Sequence, residues 1–115
     1  KYVRKHDFIL SCTRRNVYIR DNFTCQYCSM KSHSRYDLTL DHVFPKSRGG
    51  PKTWENIVSC CHDCNENKGA RTPKEAKMKL IKEPKRPKAT FMDFYRLNHV
   101  PNEWSPYLYL YQERK

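Results

Sequence analysis

Two Cys-x-x-Cys pairs, Cys25-Gln26-Tyr27-Cys28 and Cys61-His62-Asp63-Cys64, constrain this chain more than any other feature. The spacing lets each pair wrap a metal as a tight knuckle, and tetrahedral zinc takes four such sulfurs. At 115 residues there is room for a single compact domain, 1–115. Apolar residues make up 37% and charged residues 30%, which leaves a thin core of the kind that needs a staple. No apolar run reaches the roughly 20 residues that span a bilayer. No secretory hydrophobic stretch follows the basic start Lys1-Tyr2-Val3-Arg4-Lys5 either. The expected location is the reducing cytoplasm, where paired cysteines bind metal rather than oxidise. Cys25, Cys28, Cys61 and Cys64 are therefore the expected ligands of a structural Zn²⁺. Cys60 with Cys64 is a poorer alternative pairing, and His62 can replace one sulfur. Cys60 and Cys12 otherwise read as small buried apolar residues.

The charge points to a polyanion. Twenty-three Lys and Arg against twelve Asp and Glu give +11 at neutral pH, and each phosphate neutralised by such a cation releases condensed counterions. No helix pairs a long apolar face with a basic one, so a membrane surface fits less well.

The chain divides into three sections. Residues 1–24 are basic, with Ser11 or Thr13 placed to cap a short helix through Arg20. Val17 and Ile19 cannot share one helical stripe. The core section, 25–71, holds both cysteine pairs and the double glycine. A C-terminal extension, 73–115, opens on Thr72-Pro73-Lys74-Glu75, a capping box with Pro at the first helical position, which predicts a helix to about Ile81. Glu83-Pro84-Lys85-Arg86-Pro87-Lys88 is a stiff basic connector. Thr90 and Asp93 predict another helix to about Asn98, and the tail beyond is rich in aromatic residues that can enlarge the core or stack on bases.

Thirty-two residues separate the cysteine pairs, against about 15–20 in a zinc ribbon, so the insert should contain what the staple holds. Alternation in Asp37-Leu38-Thr39-Leu40-Asp41-His42-Val43-Phe44-Pro45 predicts a strand that ends before Pro45. Lys46-Ser47-Arg48-Gly49-Gly50-Pro51 follows as a flexible basic loop. Trp54-Glu55-Asn56-Ile57-Val58 predicts a returning strand, and Asn65-Glu66-Asn67-Lys68-Gly69 a short helix closed by glycine.

This strand, loop, strand and helix, with the Asp41-His42 pair, Asn56 and Asn65 directly after Cys64, resembles the ββα-metal fold of the HNH endonuclease family. The resemblance implies an α+β fold: a small ββα-metal core with a structural zinc site, flanked by short helices. It also implies a metal-dependent endonuclease acting on DNA, most simply double-stranded, and leaving 5′-phosphate and 3′-hydroxyl ends. His42 takes the position of the general base, and an imidazole with its ordinary pKa near 6.5 can accept a proton from water at neutral pH. Asp41 and Asn65 take the positions on the catalytic cation, and their oxygens suit Mg²⁺ or Mn²⁺. Asn56 takes the position that bridges backbone and braces the loop. Adjacent strand residues face opposite sides, so Asp41 and His42 serve one site only if the strand ends or twists there.

Lys68, three residues after Asn65, is placed to reach a phosphate backbone, and Lys46, Arg48, Lys52 and Arg71 are further candidates. Dimerisation on DNA is compatible with double-strand cleavage. A non-catalytic zinc module that binds nucleic acid, or a phage packaging accessory, is the alternative reading.

Overall fold

A computed structural model of the protein describes residues 11–88. The expected helix from Thr90 and the aromatic tail lie outside the described residues. The order of elements is a helix α1 (Arg14–Arg20), a strand β1 (Leu38–His42), a strand β2 (Ile57–Cys61) and a helix α2 (His62–Lys68). The two strands pair antiparallel, with Leu38 opposite Cys61, Leu40 opposite Ser59 and His42 opposite Ile57. This is the α+β, ββα arrangement that the sequence predicts. No helix among the described residues is long and apolar enough to cross a membrane.

Thr13 is the cap of α1, its hydroxyl accepting from the Asn16 amide at 3.2 Å. The conflict between Val17 and Ile19 is resolved by burial on both flanks. Val17 packs with Trp54 and Ile57, while Ile19 packs with Tyr18, Phe23, Cys25, Leu38 and Cys60. Each such aliphatic side chain contributes about 1.5–3 kcal/mol on burial, so α1 is wedged between two small cores.

Arg20 is buried at the end of α1, and a buried charge is stable only when paired and hydrogen-bonded. Its guanidinium donates to the Trp54 and Ile57 carbonyls, both at 2.7 Å, and to Asp21 Oδ1 at 2.8 Å. Asp21 Oδ2 in turn accepts from the Ser59 amide at 2.8 Å. The pair therefore fastens α1 to the start and the middle of β2. Arg20 also reaches the Lys85 carbonyl at 3.3 Å, and the Ile81 amide donates to the Gln26 carbonyl at 2.8 Å. The segment after Ile81, expected as a stiff connector, is thus docked on the body of the domain, with Pro84 buried.

Three boundaries differ from expectation. The return strand begins at Ile57 rather than Trp54, because the Asn56 and Ile57 amides both close a turn on the Thr53 carbonyl, at 2.9 and 3.0 Å. It runs on through Ser59 and Cys60, both fully buried, to Cys61. The helix then starts at His62 with no intervening loop, three residues before Asn65, and ends at Gly69 as predicted. The capping box at residue 72 forms, Glu75 and Thr72 exchanging hydrogen bonds at 3.0 and 3.2 Å. The predicted helix, however, does not form, and residues 73–77 make a hydrogen-bonded turn only. Lys77 adopts φ +59°, with Met78 N–H bonded to the Pro73 carbonyl and Lys77 N–H to the Lys74 carbonyl. That double closure is a helix-terminating motif.

Candidate active site and metal centre

The sulfur cluster is built from two turns. After the first knuckle Ser29 takes φ +69°, and its amide closes on the Cys25 carbonyl at 3.0 Å. The sulfurs of Cys25, Cys28, Cys61 and Cys64 all lie within 4.8 Å of one another. The Cys28 and Cys61 sulfurs are 3.7 Å apart, the edge of a tetrahedron whose corners sit about 2.3 Å from a metal being about 3.8 Å. Tyr27 and Cys28 amides point at the Cys25 sulfur at 3.5 Å, and the Cys64 amide at the Cys61 sulfur at 3.4 Å. Such N–H groups stabilise thiolates, the form that binds metal. Four cysteines are thus positioned for a metal ion, and their geometry fits a zinc site.

Neither of the alternatives left open by the sequence joins the four-sulfur group. Cys60 is fully buried outside the cluster. Its thiol donates to the Cys61 carbonyl at 3.2 Å. Its closeness to the Cys25 sulfur, together with burial, pushes Cys60 far above the usual thiol range, and the same closeness holds Cys25 below it against the opposing effect of burial. The His62 ring turns outward, with Nε2 at 2.9 Å from the Tyr36 carbonyl. Cys12 is half-buried against Val17, Trp54 and Ile57.

An open pocket of about 270 Å³ lies at the end of β1, lined by Asp41, His42, Pro45, Lys46, Ser47, Asn65 and Gly69. The strand does end at His42, and Asp41 and His42 both line the pocket. Asp41 is buried, and its Oδ2 accepts from the Tyr27 hydroxyl at 2.7 Å. Burial and the Asp41 carboxylate push the Tyr27 phenol far above its usual range, so it keeps its proton and donates. His42 is half-buried. Burial, reinforced by Lys46 and opposed by Asp41, holds its imidazole below the usual value and therefore neutral at pH 7.

Asn56 clamps the turn that carries the far wall of the pocket. Its Oδ1 accepts from the Phe44 amide at 2.8 Å, and its Nδ2 donates to the Phe44 and Pro51 carbonyls at 3.2 and 2.9 Å. The segment expected as a flexible loop is accordingly a hydrogen-bonded turn, Lys46–Arg48. Gly49 ends it at φ +97°. Gly50 passes so close to Phe44 that a Cβ would sit 1.8 Å from its carbonyl oxygen, so only glycine fits there.

Of the expected phosphate-contacting cations, Lys46 lines the pocket and Lys52 is exposed nearby, its charge felt at His42. Lys68 is only 1% exposed. Its ammonium donates to the His42 carbonyl at 2.8 Å and lies 3.4 Å from both Asp41 oxygens, so it faces inward, not toward an open surface. Arg48 pairs with Glu75 at 2.7 Å and covers the Phe44 ring. Arg71 folds back on the Asn67 and Lys68 carbonyls at the end of α2. Sequence reasoning missed Tyr27 altogether; the available signal was a hydroxyl-bearing aromatic between two expected ligands.

Comparison with known proteins gives the same grouping. The family model for HNH endonuclease matches residues 25–81. The CRISPR-associated endonuclease Cas9 of Corynebacterium diphtheriae is 40% identical over 51 residues, 44% of this chain. The match spans only 5% of the length of that protein. No solved structure matches. The matched segment begins at the first cysteine ligand and contains both knuckles, both strands, α2 and every residue of the pocket. Residues 25–81 of this chain belong to the HNH endonuclease family.

Proposed function

We propose that this protein is a DNA endonuclease that hydrolyses phosphodiester bonds at the β1 pocket, with His42 as general base. The observation that carries the reading is the meeting of the His42 imidazole, the Asp41 carboxylate and the Asn65 amide in one open pocket beside Lys46. The donor set of Asp41 and Asn65 suits a hard cation, Mg²⁺ or Mn²⁺. Such an ion, when bound, supplies charge stabilisation at the phosphoryl and leaving oxygens. His42 takes the proton of the attacking water, the P–O3′ bond breaks, and a 5′-phosphate and a 3′-hydroxyl result. Asn56 holds the backbone after His42, and the Zn²⁺ held by Cys25, Cys28, Cys61 and Cys64 is structural. Lys46 and Lys52 favour the approach of a double-stranded DNA backbone, with Arg48 and Arg71 at the periphery. Lys68 acts on Asp41 and His42 rather than on phosphate. One pocket cuts one strand per encounter, so double-strand cleavage calls for a second copy on the DNA. A reducing location such as the cytoplasm keeps the thiolates available to metal. The shared segment of a far larger endonuclease supports a nuclease reading for the domain as a whole.

A plasmid-nicking assay tests this. Wild-type protein with Mg²⁺ or Mn²⁺ should relax supercoiled DNA, and His42→Ala should be slower by about 10²–10⁴-fold. Equal rates would remove His42 as the base. A wild-type protein that binds but never nicks would leave the non-catalytic nucleic-acid-binding module standing.

A further inference from the structure

Tyr27 belongs by sequence to the sulfur cluster and by contact to the oxygen pocket. Its amide points at the Cys25 sulfur at 3.5 Å, inside the first knuckle. Its hydroxyl, at the other end of a mostly buried ring, donates to Asp41 Oδ2 at 2.7 Å. We propose that Tyr27 is a positioning residue that fixes which oxygen of Asp41 faces the catalytic cation, and so couples the cation site to the zinc knuckle. The proposal rests on the reading that Asp41 holds that cation.

A carboxylate offers two equivalent oxygens, and rotation about the last side-chain bond exchanges them. Lys68 stands 3.4 Å from both, and its one hydrogen bond to the carboxylate, a long one, goes to Oδ1. Tyr27 touches Oδ2 alone, at 2.7 Å, and its bond is the shorter of the two described hydrogen bonds that distinguish the oxygens. With Oδ2 held by the phenolic hydroxyl at 2.7 Å, Oδ1, whose only described hydrogen bond is the 3.4 Å contact from Lys68, keeps a lone pair for a cation in the pocket. Hydrogen bonds of this kind to a ligating carboxylate are worth about 10–100-fold in metal affinity or activity. Because the ring is anchored between two zinc ligands, an ordered knuckle pre-sets Asp41. By linkage, cation binding and zinc binding must then favour each other.

Tyr27→Phe removes one oxygen and keeps the ring. Three measurements separate the possibilities: Mn²⁺ affinity by electron paramagnetic resonance titration, zinc content by atomic absorption, and melting temperature. The expected result is unchanged zinc content and melting, Mn²⁺ affinity lower by about tenfold or more, and nicking largely recovered at saturating Mn²⁺. Unchanged Mn²⁺ affinity beside a nicking-competent wild type overturns the inference and leaves the nuclease reading intact. Loss of zinc in step with Mn²⁺ also overturns it, since Tyr27 would then merely hold the knuckle. A wild type that neither binds Mn²⁺ nor nicks overturns both readings.

Discussion

The sulfur cluster and the oxygen pocket are neighbours built on opposite plans. In the cluster, four like donors come from two turns, and short-range N–H···S contacts orient them within each knuckle. In the pocket the donors are unlike, sit on β1 and α2, and are oriented by partners far along the chain. Tyr27 holds Asp41, Lys68 holds the carbonyl of His42, and Asn56 holds Phe44. The first plan tolerates a loose surrounding structure because a metal can impose the geometry. The second has no geometry of its own and borrows it from the register of the sheet.

The sharpest way to break this comparison is to strip the sulfur cluster. Structural zinc contributes about 10–16 kcal/mol in small domains, against a total stability of about 5–15 kcal/mol. A strong chelator should therefore abolish cooperative unfolding in circular dichroism melts, and activity with it. Adding back Mn²⁺ alone should restore neither, whereas Zn²⁺ followed by Mn²⁺ should restore both. Nicking by zinc-free protein would show that the pocket assembles independently.

A smaller effect probes the join between the two plans. Lys68→Met leaves the buried Asp41 carboxylate without its cation, a change that costs about 3–5 kcal/mol when one partner of a buried pair is removed. Urea unfolding should show a loss toward the lower end, because Tyr27 still donates to Asp41, while zinc content stays at one ion per chain. No loss of stability would mean that the ammonium contributes nothing beyond packing. Smaller again is Asn56→Ala, which strands the Phe44 amide and carbonyl. A loss of about 1–3 kcal/mol in the same measurement is expected, together with slower nicking and unaltered zinc content.

The same contrast explains what could be read from the sequence. Both knuckles were legible because metal chemistry acts over a spacing of three residues. Asp41, His42, Asn56 and Asn65 were legible through the resemblance their order carries, and the pocket brings Asp41, His42 and Asn65 together. The inward turn of Lys68 was not legible, since three-residue spacing from Asn65 gives a helical face but says nothing of what covers that face. Tyr27 was hidden for a similar reason: its partner is fourteen residues away across the fold. The start of β2 was misplaced because alternation cannot show that residue 53 would close a turn. The capping bonds predicted at Thr72 form, but the helix expected after them does not, the chain turning out at the left-handed Lys77.

Cys61 has a consequence for how this domain can change. It is at once the last residue of β2, the N-cap of α2, a member of the sulfur cluster and the partner of Leu38 across the sheet. No spare residue separates these duties. Inserting one amino acid after Cys61 would rotate α2 by about 100°, swinging Asn65 and Lys68 off the end of β1 while every ligand was still present in the chain. A single inserted codon at the strand–helix junction would accordingly do more harm than most substitutions there.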